Sequence, residues 1–216
     1  MIRKYYIILL IFCVLALQSC APIRRINVGF DKEMANKNFT ISVFPQNDSS
    51  YLFKTKIWLL GKYFSGLMAV KKVDSDSYRM VFMNEMGIKF FDLEFFENKT
   101  EEPFVVHYCM EIFNRDIIIR TIKKDMHALF FLVGPKVAKH YSTKKNEGIF
   151  RLKLHGDQYY YYLNSNQQIV KIERMGFPYK KAEIFVEEYD HLAPESITID
   201  HRRINFRMEL RLLKIN

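Results

Sequence analysis

From Phe53 onward, hydrophobic positions come in short runs broken by polar turns, a pattern that predicts strands rather than helices. Residues 53–60, 62–73, 77–84 and 88–96 are separated by Leu60-Gly61, Asp74-Ser75-Asp76 and Asn84-Glu85-Met86-Gly87. Turns this short predict an antiparallel meander, with a fifth strand over 104–112. The period then changes. Ile118, Ile122, Met126, Leu129 and Val133 recur at helical spacing, with Asn114 as the expected N-cap, Asp116 in the first turn and Gly134-Pro135 as the stop. A polar stretch over 136–147 follows, and strands resume at 149–154, 158–163, 168–175, 182–189, 196–200 and 204–213. The sum is about eleven strands, one substantial helix and no internal repeat.

The two halves of the pattern differ. Ile204, Phe206, Met208, Leu210 and Leu212 alternate with Asn205, Arg207, Glu209 and Arg211, as in a sheet with one wet face. In the first half both faces are apolar: Tyr78, Met80 and Phe82 stand against Val81 and Met83, and Phe90 against Phe91 and Leu93. Such strands need cover on both sides. Either a helix and sheet curvature supply it, or a curled sheet encloses an apolar cavity.

Composition narrows the class. Of 216 residues, 49% are hydrophobic and 15% aromatic, which excludes intrinsic disorder. Arg3 and Lys4 precede an apolar run over 5–17, long enough for a secretory leader and too short to span a bilayer. That run ends in Leu17-Gln18-Ser19-Cys20, which resembles the lipobox of bacterial lipoproteins and marks Cys20 for acylation after cleavage at its N-terminal side. Removal of 1–19 lowers the formal charge from +9 to +7. Cys13 leaves with the leader and Cys20 carries lipid, so Cys109 is single, and its apolar neighbours mark a small buried hydrophobe. Residues 20–50, rich in Asn, Asp, Ser and Lys, read as a tether, and 51–216 as one folded body. An added edge strand over 39–44 is compatible with that division.

The run Lys62-Tyr63-Phe64-Ser65-Gly66-Leu67-Met68, followed by Asp76-Ser77-Tyr78-Arg79-Met80-Val81-Phe82-Met83-Asn84-Glu85-Met86-Gly87, resembles LolB, the family of outer-membrane lipoprotein receptors. Pro194-Glu195-Ser196-Ile197-Thr198-Ile199 and the alternating strand after it resemble the family's C-terminal end. The resemblance implies a mainly β fold: a half-open antiparallel barrel with a helical lid near 114–133. It implies a lipid-anchored receptor, facing the periplasm from the outer membrane, that takes acylated lipoprotein cargo from a LolA-like periplasmic carrier and inserts it into outer-membrane lipid. It implies no catalysis and no cofactor. In the family a protruding loop carries an exposed apolar residue that dips into the bilayer. Here that residue is Met86, although Glu85 stands where the family often has proline. Alternation and the family's element order place the lipid cavity at Phe64, Met68, Tyr78, Met80, Phe82, Ile118, Ile122 and Met126, each of which equally suits a dry core.

Other chemistry finds no pattern. The six histidines are scattered, with no metal-ligand spacing, and no nucleophile-elbow or phosphate-loop glycine pattern occurs. The Tyr159-Tyr160-Tyr161-Tyr162 run suits a strand with one amphipathic face better than a nucleic-acid platform. The basic balance suits phospholipid head groups or an acidic partner. A monomer without nucleic acid is expected. The second functional class is an accessory envelope lipoprotein of the same fold whose interior is filled by its own side chains.

Overall fold

The structure is a computed structural model; it describes residues 42–44, 50–74, 76–97, 104–131, 138–142, 148–154, 156–176, 179–190 and 193–215. One antiparallel sheet carries the chain. Its strands are β1 (Ser50–Leu59), β2 (Lys62–Lys72), β3 (Ser77–Met83), β4 (Lys89–Phe96), β5 (Phe104–Cys109), β6 (Ala138–Ser142), β7 (Gly148–Leu154), β8 (Asp157–Leu163), β9 (Ile169–Gly176), β10 (Tyr179–Asp190), β11 (Ala193–His201) and β12 (Phe206–Ile215). The helix α1 (Asp116–Phe130) separates β5 from β6. The order across the sheet is β5-β4-β3-β2-β1-β12-β11-β10-β9-β8-β7-β6. Each strand therefore pairs with its neighbours in sequence, except where β1 closes on β12. The edges β5 and β6 stay apart, so the barrel is open. The expectation of a mainly β, half-open antiparallel barrel with a helical insertion agrees with this architecture.

Twelve strands are present among the described residues, one more than the pattern predicts. The additional one, β6, lies in the polar stretch over 136–147 and pairs only with β7. An edge strand needs backbone partners on one side alone, so it requires little apolar periodicity.

The sheet curls around α1. Tyr161 on β8 donates its hydroxyl to the Ala128 carbonyl (3.1 Å), while the Tyr78 ring on β3 meets Phe131 just past the helix end, with centroids 5.0 Å apart. Seven strand spacings separate β3 from β8, about 34 Å on a flat sheet. Only strong curvature brings both onto the same turn of helix. The inner face is continuous from strand to strand: Met68 lies opposite Phe82, Met80 opposite Leu93, Ile57 opposite Met208, and Ile172 opposite both Tyr161 and Ile184.

A bulge explains part of the two-sided apolar pattern in the first half. Phe82 pairs with Phe91 and Met83 with Lys89, leaving Phe90 unpaired. Phe90 consequently joins Phe91 on the inner side, 4.8 Å from Phe82 and 5.3 Å from Phe64 by ring centroids. The outer face of β3 and β4 is more polar than its sequence suggests. Buried Asp92 receives two hydrogen bonds from Arg79 (2.8 and 3.0 Å) and one from Lys89 (2.9 Å). The Arg79 hydrogen bond leads in lowering the Asp92 carboxyl to about 2; burial opposes it and Lys89 adds to it. An unfolded aspartate titrates near 3.9, so this pairing stabilises the fold fully above roughly pH 4–5 and is lost as pH falls toward 2. Urea midpoints measured from pH 5 to pH 2 should therefore fall less steeply in Asp92→Asn than in the unmodified chain. Equal slopes would count against the pairing.

The helix boundaries differ from those predicted. Arg115 occupies the N-cap position in an extended conformation, with no side-chain cap hydrogen bond, and Asn114 lies one residue ahead of it. Asp116 does sit in the first turn, where it forms a 2.7 Å ion pair with Arg120 at i,i+4. The helix stops at Phe130 because Phe131 is extended. The expected stop at Gly134-Pro135 and the helical position Val133 lie outside the described residues. Val43 and Phe44 are buried in the core, the latter stacked 4.6 Å from Phe130, so packing includes residues ahead of β1. The first part of the suggested strand over 39–44 lies outside the described residues, and residues 43–44 form a bend.

Candidate functional site

Helix α1 fills the concave side of the sheet and meets its two arms differently. Toward β8–β11 the seam is ionic. Asp125 is buried, 2.8 Å from His201 Nε2 on β11 and 3.3 Å from Arg174 Nη1 on β9, and the side chains of both partners are covered as well. One residue earlier, Lys124 reaches Asp157 at 2.8 Å, and Lys181 reaches the other oxygen of Asp157 at 2.7 Å. Burial works against the Asp157 carboxylate, yet the two lysines hold its pKa below the usual range. Toward β1 and β3 the seam is aromatic. Phe130 packs against Phe44, Tyr51, Phe53 and Tyr78 at centroid distances from 4.6 to 6.5 Å. Phe113, just before the helix, packs against Phe64, Phe90 and Phe91.

The expected cavity residues come together in this interior. Met68, Met80, Phe82 and Ile122 have 0% of their surface exposed, Ile118 1%, Met126 2% and Tyr78 4%. Phe64 is partly buried against the same cluster. All eight share one core, closed tightly enough in this conformation to exclude water from most of them. Sequence reasoning missed the aromatic set at the helix C-terminus (Phe44, Tyr51, Phe53, Phe130, Phe131) and the inward polar side chains Asp125, Arg174 and His201. Phe130 and Phe131 directly after Leu129 could have signalled the first. An aspartate and a lysine flanking the apolar stripe gave only a weak signal for the second.

The turn Asn84-Glu85-Met86-Gly87 projects from β3 and β4 with Met86 85% exposed. Its geometry comes from Asn84, whose side-chain oxygen accepts hydrogen bonds from the backbone N–H of Met86 (3.0 Å) and of Ile88 (2.8 Å). Gly87 takes φ +82°, and Gly66 on β2 lets the turn approach: a Cβ there would lie 2.0 Å from the Met83 carbonyl oxygen. The turn between β8 and β9 repeats this architecture. Asn164 accepts from Asn166 and Gln168 N–H, both at 3.0 Å, and Gln167 takes φ +62°. One scaffold thus presents Met86 and Ile88 at one end of the sheet and Asn166 and Gln168 at the other. The turn dictates the outward direction, while the sequence chooses what it displays.

Other candidate chemistry lies apart. Cys109 is half-buried on β5, and burial pushes its thiol up to about 11. Tyr159 and Tyr161 point into the core while Tyr160 and Tyr162 bond Gln158 and Glu173 outside, so the tyrosine run is an amphipathic strand as expected. No cluster of three metal-binding side chains occurs among the described residues, and no helix there is long and apolar enough to cross a membrane. Cys20 lies outside the described residues.

No protein-family model matches the chain, and no curated protein matches it in sequence. Solved structures do match. A LolA superfamily protein from Nitrosomonas europaea aligns over 80% of this chain and 87% of its own, with TM-score 0.53 and 9% identity. A lipoprotein-sorting domain from Vibrio parahaemolyticus aligns over 80% and 86%, with TM-score 0.49 and 8% identity. A DUF1329 family protein from Desulfovibrio piger aligns over 85% and 88%, with TM-score 0.46 and 7% identity. On the first of these matches, the open antiparallel sheet wrapped around α1 is a LolA-like fold.

Proposed function

We propose that the chain is a lipid-anchored receptor that shelters the acyl chains of lipoproteins and passes them to the outer membrane. The observation that carries this reading is an open sheet whose concave side is largely apolar and covered by a helix, with an exposed methionine turn at one end. An acyl chain of about 15 methylenes costs on the order of 12 kcal/mol to expose to water, so its transfer needs an apolar shelter and no bond chemistry. A LolA-like periplasmic carrier would supply the cargo, and Cys20, once acylated, would hold the receptor at the membrane. Met86 would touch the bilayer where cargo leaves.

Because Met68, Met80, Phe82 and Ile122 are fully covered, an entering acyl chain must displace α1 or its aromatic partners. That same closure favours a second reading, in which the interior is permanently filled and the protein is an accessory envelope lipoprotein.

Native mass spectrometry of the chain from residue 20 with Cys20→Ala, incubated with a triacylated lipopeptide, separates the two. The receptor reading expects a stoichiometric complex, together with release of Cys20→Ala from the membrane fraction in cells. A chain that stays lipid-free at saturating lipopeptide overturns it.

A further inference from the structure

The register places five turns or segment ends at one end of the barrel. The Leu60 N–H donates to the Asn205 carbonyl (2.8 Å), joining the β1–β2 turn to the β11–β12 turn. Leu67 lies opposite Met83, which sets the β3–β4 turn beside the start of β2. Arg202 N–H donates to the Lys181 carbonyl (3.1 Å), joining the β11–β12 turn to the start of β10. Strand β5 also runs toward this end, and α1 begins after it.

The side chains displayed there are unusual for turns. Leu60, Met86, Ile88, Ile117 and Tyr179 are all exposed, from 42% for Leu60 to 85% for Met86. Leu60 is also in the left-handed region at φ +51°, followed by Gly61 at φ +80°. A two-residue hairpin with both φ positive favours Asn-Gly, and a leucine there is strained. An apolar residue held in a strained, exposed position is a feature to explain by function. Across the sheet, Arg203 lies over the Tyr179 ring at 4.8 Å and has no carboxylate partner among the described residues, whereas neighbouring Arg202 and Lys180 are paired with Glu183. Together Tyr179, Lys180, Arg202 and Arg203 line a shallow cleft of about 470 Å³. Exposed aliphatic tips, a tyrosine and an unneutralised arginine on one rim match an interface with apolar interior, polar boundary and negative surface.

Beyond the Met86 contact of the receptor reading, we propose that this rim is a docking face for an anionic phospholipid bilayer, with Leu60 and Ile88 entering the boundary beside Met86 and Arg203 with Tyr179 binding a head-group phosphate. It deepens the receptor reading and rests on it. Met86 and Tyr179 lie about five strand spacings apart, roughly 24 Å along the sheet, with Leu60 and Arg203 on the neighbouring turns between them, so the contacts hold the strands upright on the membrane and the concave side open toward it. The anchor geometry is compatible. β1 begins at the opposite end, where Phe44 is packed against Tyr51, and 22 residue-to-residue steps lead from Cys20 to Ser42. Fully extended they reach at most about 75 Å, more than the height of about 33 Å of a ten-residue strand, so an anchor in the same membrane does not prevent rim-down docking.

Co-sedimentation tests this with the chain from residue 20 carrying Cys20→Ala, using vesicles of pure phosphatidylcholine or with 30% phosphatidylglycerol. Binding should be at least fivefold tighter to the anionic vesicles, and Arg203→Glu should abolish that preference. Leu60→Asn relieves backbone strain, so it should fold at least as stably and yet bind vesicles more weakly. Leu213→Lys, an exposed position at the other end, should change neither. Lipopeptide binding in solution should survive Arg203→Glu and Leu60→Asn, which separates failure of the docking face from failure of the receptor reading. Equal binding to both vesicle types, or loss of binding only in Leu213→Lys, overturns the proposal.

Discussion

Asp125→Ala is expected to destabilise the protein by about 3–5 kcal/mol, far more than its size suggests. The carboxylate lost is small, but the guanidinium left behind is not. Arg174 is 5% exposed, and its partners include Asp125 at 3.3 Å and the phenol of Tyr159. Removing the carboxylate leaves a buried cation facing His201 with its main compensation gone. The comparison that isolates charge from volume is Asp125→Leu combined with Arg174→Met, which removes both ions and should recover most of the loss. Asp116→Ala on the exposed face of the same helix breaks a 2.7 Å pair with Arg120 and should move stability by no more than about 0.5 kcal/mol. Urea unfolding of these variants decides the matter. A loss under about 1 kcal/mol for Asp125→Ala would mean that the ionic seam does not hold α1 to β8–β11.

That seam also marks the limit of what the sequence discloses. Strand periodicity, the direction of Tyr159 through Tyr162, the buried face of β12 and the helix were legible because each depends on neighbours within one element. The turn at Asn84 was legible for the same reason: an asparagine, a tip and a glycine fix its shape locally. The ionic contacts of Asp125 are not local. Arg174 and His201 lie 49 and 76 residues away, and only the curl of the sheet brings them to one helix turn. Phe90 was misread because a bulge moves one residue to the opposite face, and alternation alone does not reveal the bulge. Strand β6 escaped notice because an edge strand is specified by backbone pairing. The residues expected to line a cavity lie together on the inner side of the sheet, but alternation cannot say whether an inward residue faces a ligand or another side chain. In this conformation they face each other.

Phe130→Ala tests what that closure means. The ring is buried and packs against Phe44, Tyr51, Phe53 and Tyr78, so truncation should cost about 3–5 kcal/mol by lost transfer energy and by the cavity left behind. The consequence for ligand binding depends on which reading of the interior holds. If α1 is a lid, the aromatic seam is what keeps it shut on the β1–β3 side, while Asp125 and Lys124 keep it attached on the other. Weakening only the aromatic side raises the population of the open form, and apparent affinity rises in proportion to that population. A shift of 1.4 kcal/mol in lid closure, less than half the expected stability loss, already gives about a tenfold tighter apparent Kd for a palmitoylated probe. Leu59→Ala, buried at the other end of β1, should lose about 2–5 kcal/mol in stability and leave probe affinity unchanged. If the interior is permanently filled, both variants lose stability and neither gains affinity. Calorimetric unfolding and probe titration of the same two variants therefore distinguish a closed lid from a solid core. A Phe130→Ala protein that is destabilised but indifferent to the probe would remove the main physical support for acyl-chain transfer.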